Sequence, residues 1–218
     1  KLDLSSVSIS AYENSNADYI PDEALYDFMI LKKVVLPESV ETLGRSAFSN
    51  CRINQINFPD QIREIKENCF KYADFSGKMA LPVNLEKIAS TSFNGCSISA
   101  FEISSDNSKF ISKDGVLYSH DTTELAVFPK NYRFNLYTIP NTVSKLNASQ
   151  IYDCGPYGDE TGLRIIDASY CHQLKTIPDE FIFVCRFDKL LLPEELRSIS
   201  SYAFSYSKVD TIVCYSAT

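Results

Sequence analysis

A thirteen-residue pattern recurs five times in this chain and restricts its fold more than any other feature. Residues 36–48 read "LPESVETLGRSAF", 58–70 "FPDQIREIKENCF", 81–93 "LPVNLEKIASTSF", 139–151 "IPNTVSKLNASQI" and 192–204 "LPEELRSISSYAF". Leu36, Phe58, Leu81, Ile139 and Leu192 open the copies, each followed by proline. Val40, Ile62, Leu85, Val143 and Leu196 come next, then Leu43, Ile65, Ile88, Leu146 and Ile199. Phe48, Phe70, Phe93, Ile151 and Phe204 close them. From Pro37 to Pro59 is 22 residues, and from Pro59 to Pro82 is 23. Periods of about 20–30 residues mark a solenoid, in which each coil covers the apolar face of the next.

Apolar residues alternate ahead of the prolines: Val34 and Leu36, Ile56 and Phe58, Leu190 and Leu192, Ile212 and Cys214. Alternation of period two predicts a strand with one buried face. Proline lacks the amide that would continue a ladder, so it closes the strand. Beyond it, apolar spacings of three and then five predict a turn and a short helical segment. The expected fold is an α/β repeat: short parallel strands stacked about 4.8 Å per coil into one sheet, with turns and short helices opposite.

Two stretches break the period. Between Pro82 and Pro140, "SKDGVLYSHDTTELAVFP" has an Asp114-Gly115 turn flanked by apolar runs, which predicts a β-hairpin or small meander inserted at about 104–136. "IPDEALYDFMILKKVVLP" (20–37) and "IPDEFIFVCRFDKLLLP" (177–193) read as short coils, and their likeness marks an internal duplication. The whole of 1–218 reads as a single solenoid with incomplete terminal coils.

Composition excludes several function classes. The net charge of −7 disfavours a nucleic-acid partner, whose affinity depends on basic residues meeting phosphates. No apolar run approaches the ~20 residues that span a bilayer. The chain opens on "KLDLSSVSI" without a charged-then-apolar leader, so any signal peptide or lipid anchor is expected outside these residues.

The units "LPESVETLGRSAFSNC" and "LPVNLEKIASTSFNGC", with "SKDGVLYSHDTTELAVFPKN" ahead of "YTIP", resemble the BspA-like leucine-rich repeats of surface proteins from gut and oral anaerobic bacteria. The resemblance covers most of residues 20–214. It implies a curved leucine-rich-repeat solenoid, an extracellular or cell-surface location, and adhesion or other protein binding; it does not imply catalysis. Two departures are visible: Ile151 replaces the closing aromatic, and "CGPYGDETG" (154–162) inserts a loop.

Residues that could carry chemistry are few. The seven cysteines include no C-x-x-C pair, and Cys51, Cys96 and Cys154 share one repeat slot with Ala73 and Ser207. A slot that accepts Cys, Ala or Ser is a packing position, and structural thiols are expected there. Cys51 and Cys96 stand two coils apart, beyond disulfide reach. His120 falls in the expected hairpin turn. His172 adjoins Cys171, but neighbours on a strand point to opposite faces and make a poor dyad. Asp153, Asp159 and Glu160 lie near two glycines without the alternating ligands of calcium loops. No catalytic, cofactor-binding or metal-binding residue is assigned, and no cofactor is expected.

The remaining candidate is a surface. Val35, Asn57, Ala80, Glu102, Thr138, Leu191 and Val213 alternate with the buried strand positions, and stacking would align them on the solvent side of the sheet, where solenoids bind. Their partner is expected to be a protein, such as a host extracellular one, or a glycan. Simple β-propensity would also place apolar residues there. A carbohydrate contact would need exposed aromatics, for which Tyr132, Phe134, Tyr202 and Tyr206 are the candidates.

Overall fold

The structure, a computed structural model, describes residues 1–3, 18–155 and 162–214. Two parallel ladders run along the coil axis, and Ile151–Tyr152 paired with Ile182–Phe183 adds a short third. In the first, Leu2–Asp3 pairs with Lys33–Val35 and that with Gln55–Ile56, while Ser76–Ala80 pairs with Ser97–Glu102. Further along, Leu136–Thr138, Ile165–Asp167, Arg186–Leu192 and Lys208–Cys214 form one four-stranded parallel sheet. The second ladder consists of two-residue strands: Tyr19–Ile20, Thr42–Leu43, Glu64–Ile65 and Lys87–Ile88, then Thr176–Ile177 with Ser198–Ile199. Leu43, Ile65 and Ile88 stand in one register row, and Ile177 faces Ile199. The coils therefore stack as the repeat requires.

The closing aromatics form a column inside this stack. Phe48 and Phe70 lie face to face at 5.2 Å and 6°, and Phe70 and Phe93 at 5.1 Å and 19°. All three rings are buried. Burying one such ring stabilises the fold by about 1.5–3 kcal/mol.

The expected helical segments are absent: the described residues contain strands and turns alone. The reason lies in the backbone. Each turn on this side carries residues in the left-handed region, Ser46 and Asn50 at φ +54 and +57, Asn68 and Tyr72 at +55 and +60, Glu180 and Val184 at +52 and +56. Such residues cannot continue a right-handed helix. Alternate amides then find partners in the next coil: those of Ser46, Phe48 and Asn50 donate to the carbonyls of Glu67, Cys69 and Lys71. The amides between them, of Ala47 and Ser49, donate within their own turn to Gly44 and Ser46. Apolar spacing records which side chains face inward, and both arrangements satisfy it.

The two short coils are also corrected. Tyr19 pairs with Thr42 and Thr176 with Ser198. Pro21 and Pro178 thus follow strands of the second ladder, whereas Pro37 and Pro193 follow strands of the first. Proline ends a strand on either side, so the motif alone cannot tell the ladders apart.

Within the interval 104–136, Phe110–Lys113, Val116–Ser119 and Leu125–Val127 form an antiparallel three-stranded meander. Its alternating side chains serve two cores. Leu117, Ala126 and Val127 join the core that contains Phe48 and Phe93, while Val116, Tyr118 and Leu125 join the one that contains Ile166 and Phe187. The meander also supplies a rung of the second ladder: the carbonyl of Thr123 accepts the amides of Ser144 and Lys145, as that of Arg63 accepts those of Glu86 and Lys87. This accounts for Gln150 in a slot that is otherwise small. Its buried amide donates to the carbonyls of Leu125 and Ala126, and its oxygen accepts the Asn147 amide at 2.9 Å. Unpaired, those carbonyls would each cost about 1–3 kcal/mol.

Candidate binding face

The outward strand positions form three separate groups. Thr138, Asp167, Leu191 and Val213 stand in direct register across four strands, and Ala80 faces Glu102. Val35 faces Asp3, and Asn57 follows the Val34–Ile56 pair. Ala80, Glu102 and Thr138 are exposed, while Val35, Leu191 and Val213 are half-buried. Asn57 is committed to the fold: its Oδ1 accepts the Leu36 amide at 2.7 Å, and its Nδ2 donates to the Leu36 carbonyl at 3.3 Å. It clamps adjacent coils while its neighbours face solvent. Asp167, in the middle of the longest row, was not among the positions expected from the sequence.

Depressions open where the sheet is interrupted. Between Gln55–Ile56 and Ser76–Ala80, which share no ladder, lies one of about 480 Å³ lined by Val35, Gln55, Asn57, Phe75 and Lys78. A second, of about 320 Å³, lies where the meander meets strand Ser97–Glu102 and is lined by Ser99, Glu102, Asp114, Arg133 and Phe134. Lys78 borders both and forms an ion pair with Glu102 at 2.6 Å.

The four aromatics considered for carbohydrate contact part ways. Tyr132 is buried, whereas Phe134 is 59% exposed, Tyr202 68% and Tyr206 86%. Phe134 alone of these three lines a depression described above. Tyr26, Phe28, Met29 and Ile30 are exposed in the turn that precedes strand Lys33–Val35, which the repeat template did not single out.

The shared cysteine slot is more specific than packing. The Cys51 thiol donates to the Leu25 carbonyl at 2.9 Å and that of Cys96 to the Phe70 carbonyl at 3.0 Å, each in the preceding coil. Ser207 does the same with the Ile182 carbonyl at 3.3 Å. Cys and Ser alternate there because each carries one short donor. Burial pushes the Cys96 and Cys171 thiols up to about 12, and those of Cys69 and Cys154 well above the usual range. Thiolate is the reactive form. A disulfide-exchange reagent at neutral pH is therefore expected to label Cys214, the exposed one, quickly and the six buried cysteines only on unfolding. Rapid labelling of several thiols in the folded chain would show that the coils are open.

Other expected positions stay apart. His120 is exposed. The imidazole Nδ1 of His172 lies 2.9 Å from a Glu195 carboxylate oxygen, whereas the Cys171 thiol is buried and turned towards the carbonyls of Ile139 and Pro140. Asp159 and Glu160 lie outside the described residues. Among the described residues, no group of three or more histidine, cysteine or acidic side chains could hold a metal ion, and no helix is long and apolar enough to cross a membrane.

Comparison with solved structures places this geometry among bacterial repeat proteins. A leucine-rich repeat protein from Eubacterium ventriosum superposes with a TM-score of 0.67 at 16% identity, over 89% of this chain and 58% of that one. The pneumococcal vaccine antigen PcpA gives 0.60 at 21% identity, over 92% and 60%. A leucine-rich cell surface protein of Faecalibacterium prausnitzii gives 0.60 at 18% identity, over 88% and 63%. The chain thus spans less than two thirds of each of these three. No curated protein matches it. Six copies of the BspA-type leucine-rich repeat region match residues 2–120 and 125–217, and the chain belongs to that family.

Proposed function

We propose that the chain is a non-enzymatic binding module displayed outside a bacterial cell, holding a protein partner, such as a host extracellular protein, against the outer face of its sheet. The observation that carries this reading is the row Thr138, Asp167, Leu191 and Val213, in direct register across four strands, with Thr138 exposed and the other three half-buried. Apolar side chains interleaved with charges on a rigid face suit protein recognition. The strand positions that flank Thr138, Asp167 and Leu191 are buried, so that part of the face is preorganised. Two of the similar proteins are described as a cell surface protein and a vaccine antigen, which favours the location.

The test is a triple variant, Val35→Asp, Leu191→Asp and Val213→Asp, measured against a panel of purified host extracellular proteins. The expected result is an unchanged circular dichroism spectrum and at least about tenfold weaker capture of any partner that the native chain binds, as when central contacts are lost. A partner held equally well by native chain and variant would remove the sheet face from the account. A second reading, contact with carbohydrate, is favoured by exposed Phe134 beside polar groups.

A further inference from the structure

The depression between strand Ser97–Glu102 and the meander is built, not incidental. The amide of Phe101 donates to the Gly115 carbonyl at 2.8 Å and the Ser112 hydroxyl to the Phe101 carbonyl at 2.6 Å, so the meander's tip is held on the strand. Gly115 sits at φ +80, and an added Cβ would lie 2.6 Å from the Ala100 Cβ. Only a residue without a side chain lets the tip approach this closely.

The far wall is an aromatic platform. Phe134 meets Tyr132 edge to face at 5.6 Å and 66°, and Tyr132 in turn packs on Phe128 at 5.2 Å and Tyr137 at 5.4 Å. The stack fixes the Phe134 ring while leaving more than half of it in solvent. Around this ring the charges do not pair off. Lys78 is held by Glu102, but neither the Arg133 guanidinium nor the Asp114 carboxylate has a hydrogen bond or ion pair with any described residue. Ser99 is 9% exposed and lines the same space, and its Oγ is buried without a hydrogen-bond partner. Buried polar atoms of this kind are uncommon and call for an explanation.

We propose that this depression binds one neutral pyranose unit of a glycan, its C–H face on Phe134 and its hydroxyls between Arg133 and Asp114. The proposal deepens the carbohydrate reading and rests on it. A sugar hydroxyl both donates and accepts, so one ring satisfies the cation and the anion together. A charged ligand would satisfy one of the two ions and be repelled by the other. The volume, about 320 Å³, stands at the small end of ligand pockets and suits one ring rather than an extended peptide.

Saturation-transfer NMR with methyl pyranosides of glucose, galactose, mannose and N-acetylglucosamine, and methyl glucuronide as the charged control, tests this. The expected result is transfer to at least one neutral pyranoside, with affinity lowered about tenfold by Phe134→Ala, the worth of one aromatic face. Asp114→Asn should also weaken it, whereas Tyr206→Ala, at an exposed aromatic on the last coil, and the sheet-face triple variant should not. Phe134 is exposed, so its removal leaves the fold intact, which a thermal melt checks. Transfer that survives Phe134→Ala unchanged would overturn the site while leaving the carbohydrate reading standing. Transfer to no neutral sugar, or to the glucuronide alone, would overturn the proposal, and silence on a broad glycan array as well would end the carbohydrate reading.

Discussion

Phe70→Ala should lower the stability of the fold by about 3–5 kcal/mol, the cost of truncating a fully buried aromatic ring. Phe70 has no exposed surface and is stacked between Phe48 and Phe93, with the edges of Phe58 and Phe75 closing its remaining sides at 5.8 and 5.4 Å. In a solenoid each coil contacts only its neighbours, so one ring shared by two interfaces weakens both when it is removed. Ile151 occupies the same repeat slot in the other half, and Ile151→Val there should cost only about 0.5–1.5 kcal/mol. Urea unfolding followed by circular dichroism measures both. Losses of similar size for the two substitutions would show that the aromatic column is not what joins the first coils.

Much of this architecture was legible because the repeat reports burial directly. Leu43, Ile65 and Ile88 recur at one template slot, and a slot is a register row once the coils stack. The Asp114-Gly115 turn likewise announced the meander, since few residue pairs adopt two left-handed conformations in succession. What the pattern could not express was hydrogen bonding. The helical reading failed because Ser46, Asn68 and Glu180 turn left-handed and send alternate amides to the next coil, a choice invisible in side-chain spacing. The cysteine slot was read as packing for the same reason: Ala73 shares it, and the carbonyls of Leu25 and Phe70 that receive the thiols belong to other coils. The candidate face divided similarly. Alternation sets Leu191 apart from its buried neighbours Leu190 and Leu192, but on the last strand Ile212 and Cys214, expected inward, are exposed, and the commitment of Asn57 to Leu36 depends on a coil-to-coil distance. The depression at Phe134 joins residues from strand, hairpin and loop, which no local window contains.

Gly95→Ala is the second substitution expected to act strongly, at about 2–4 kcal/mol when left-handed strain, an aromatic contact and a hydrogen bond are combined. Gly95 has φ +82, and a Cβ there would lie 2.3 Å from the Tyr72 ring. The backbone alone does not demand glycine. The equivalent turns hold Asn50, Tyr72, Asp153, Val184 and Tyr206, all left-handed and all with side chains. What differs is the traffic above Gly95. Tyr72 crosses that coil to reach Tyr152, where the two hydroxyls hydrogen-bond and the rings meet edge to face at 6.2 Å and 65°. The Lys71 ammonium lies 5.3 Å from one ring and 5.5 Å from the other. An alanine at 95 must push Tyr72 aside and break this bridge. A double-mutant cycle separates the contributions: in a Tyr72→Ala background, Gly95→Ala should cost only the strain, about 1–2 kcal/mol. Equal costs in both backgrounds would mean that the glycine does not protect the bridge. The bridge matters because it spans the place where the first sheet is interrupted by the meander, so side chains on the turn side tie together coils that the strands there do not.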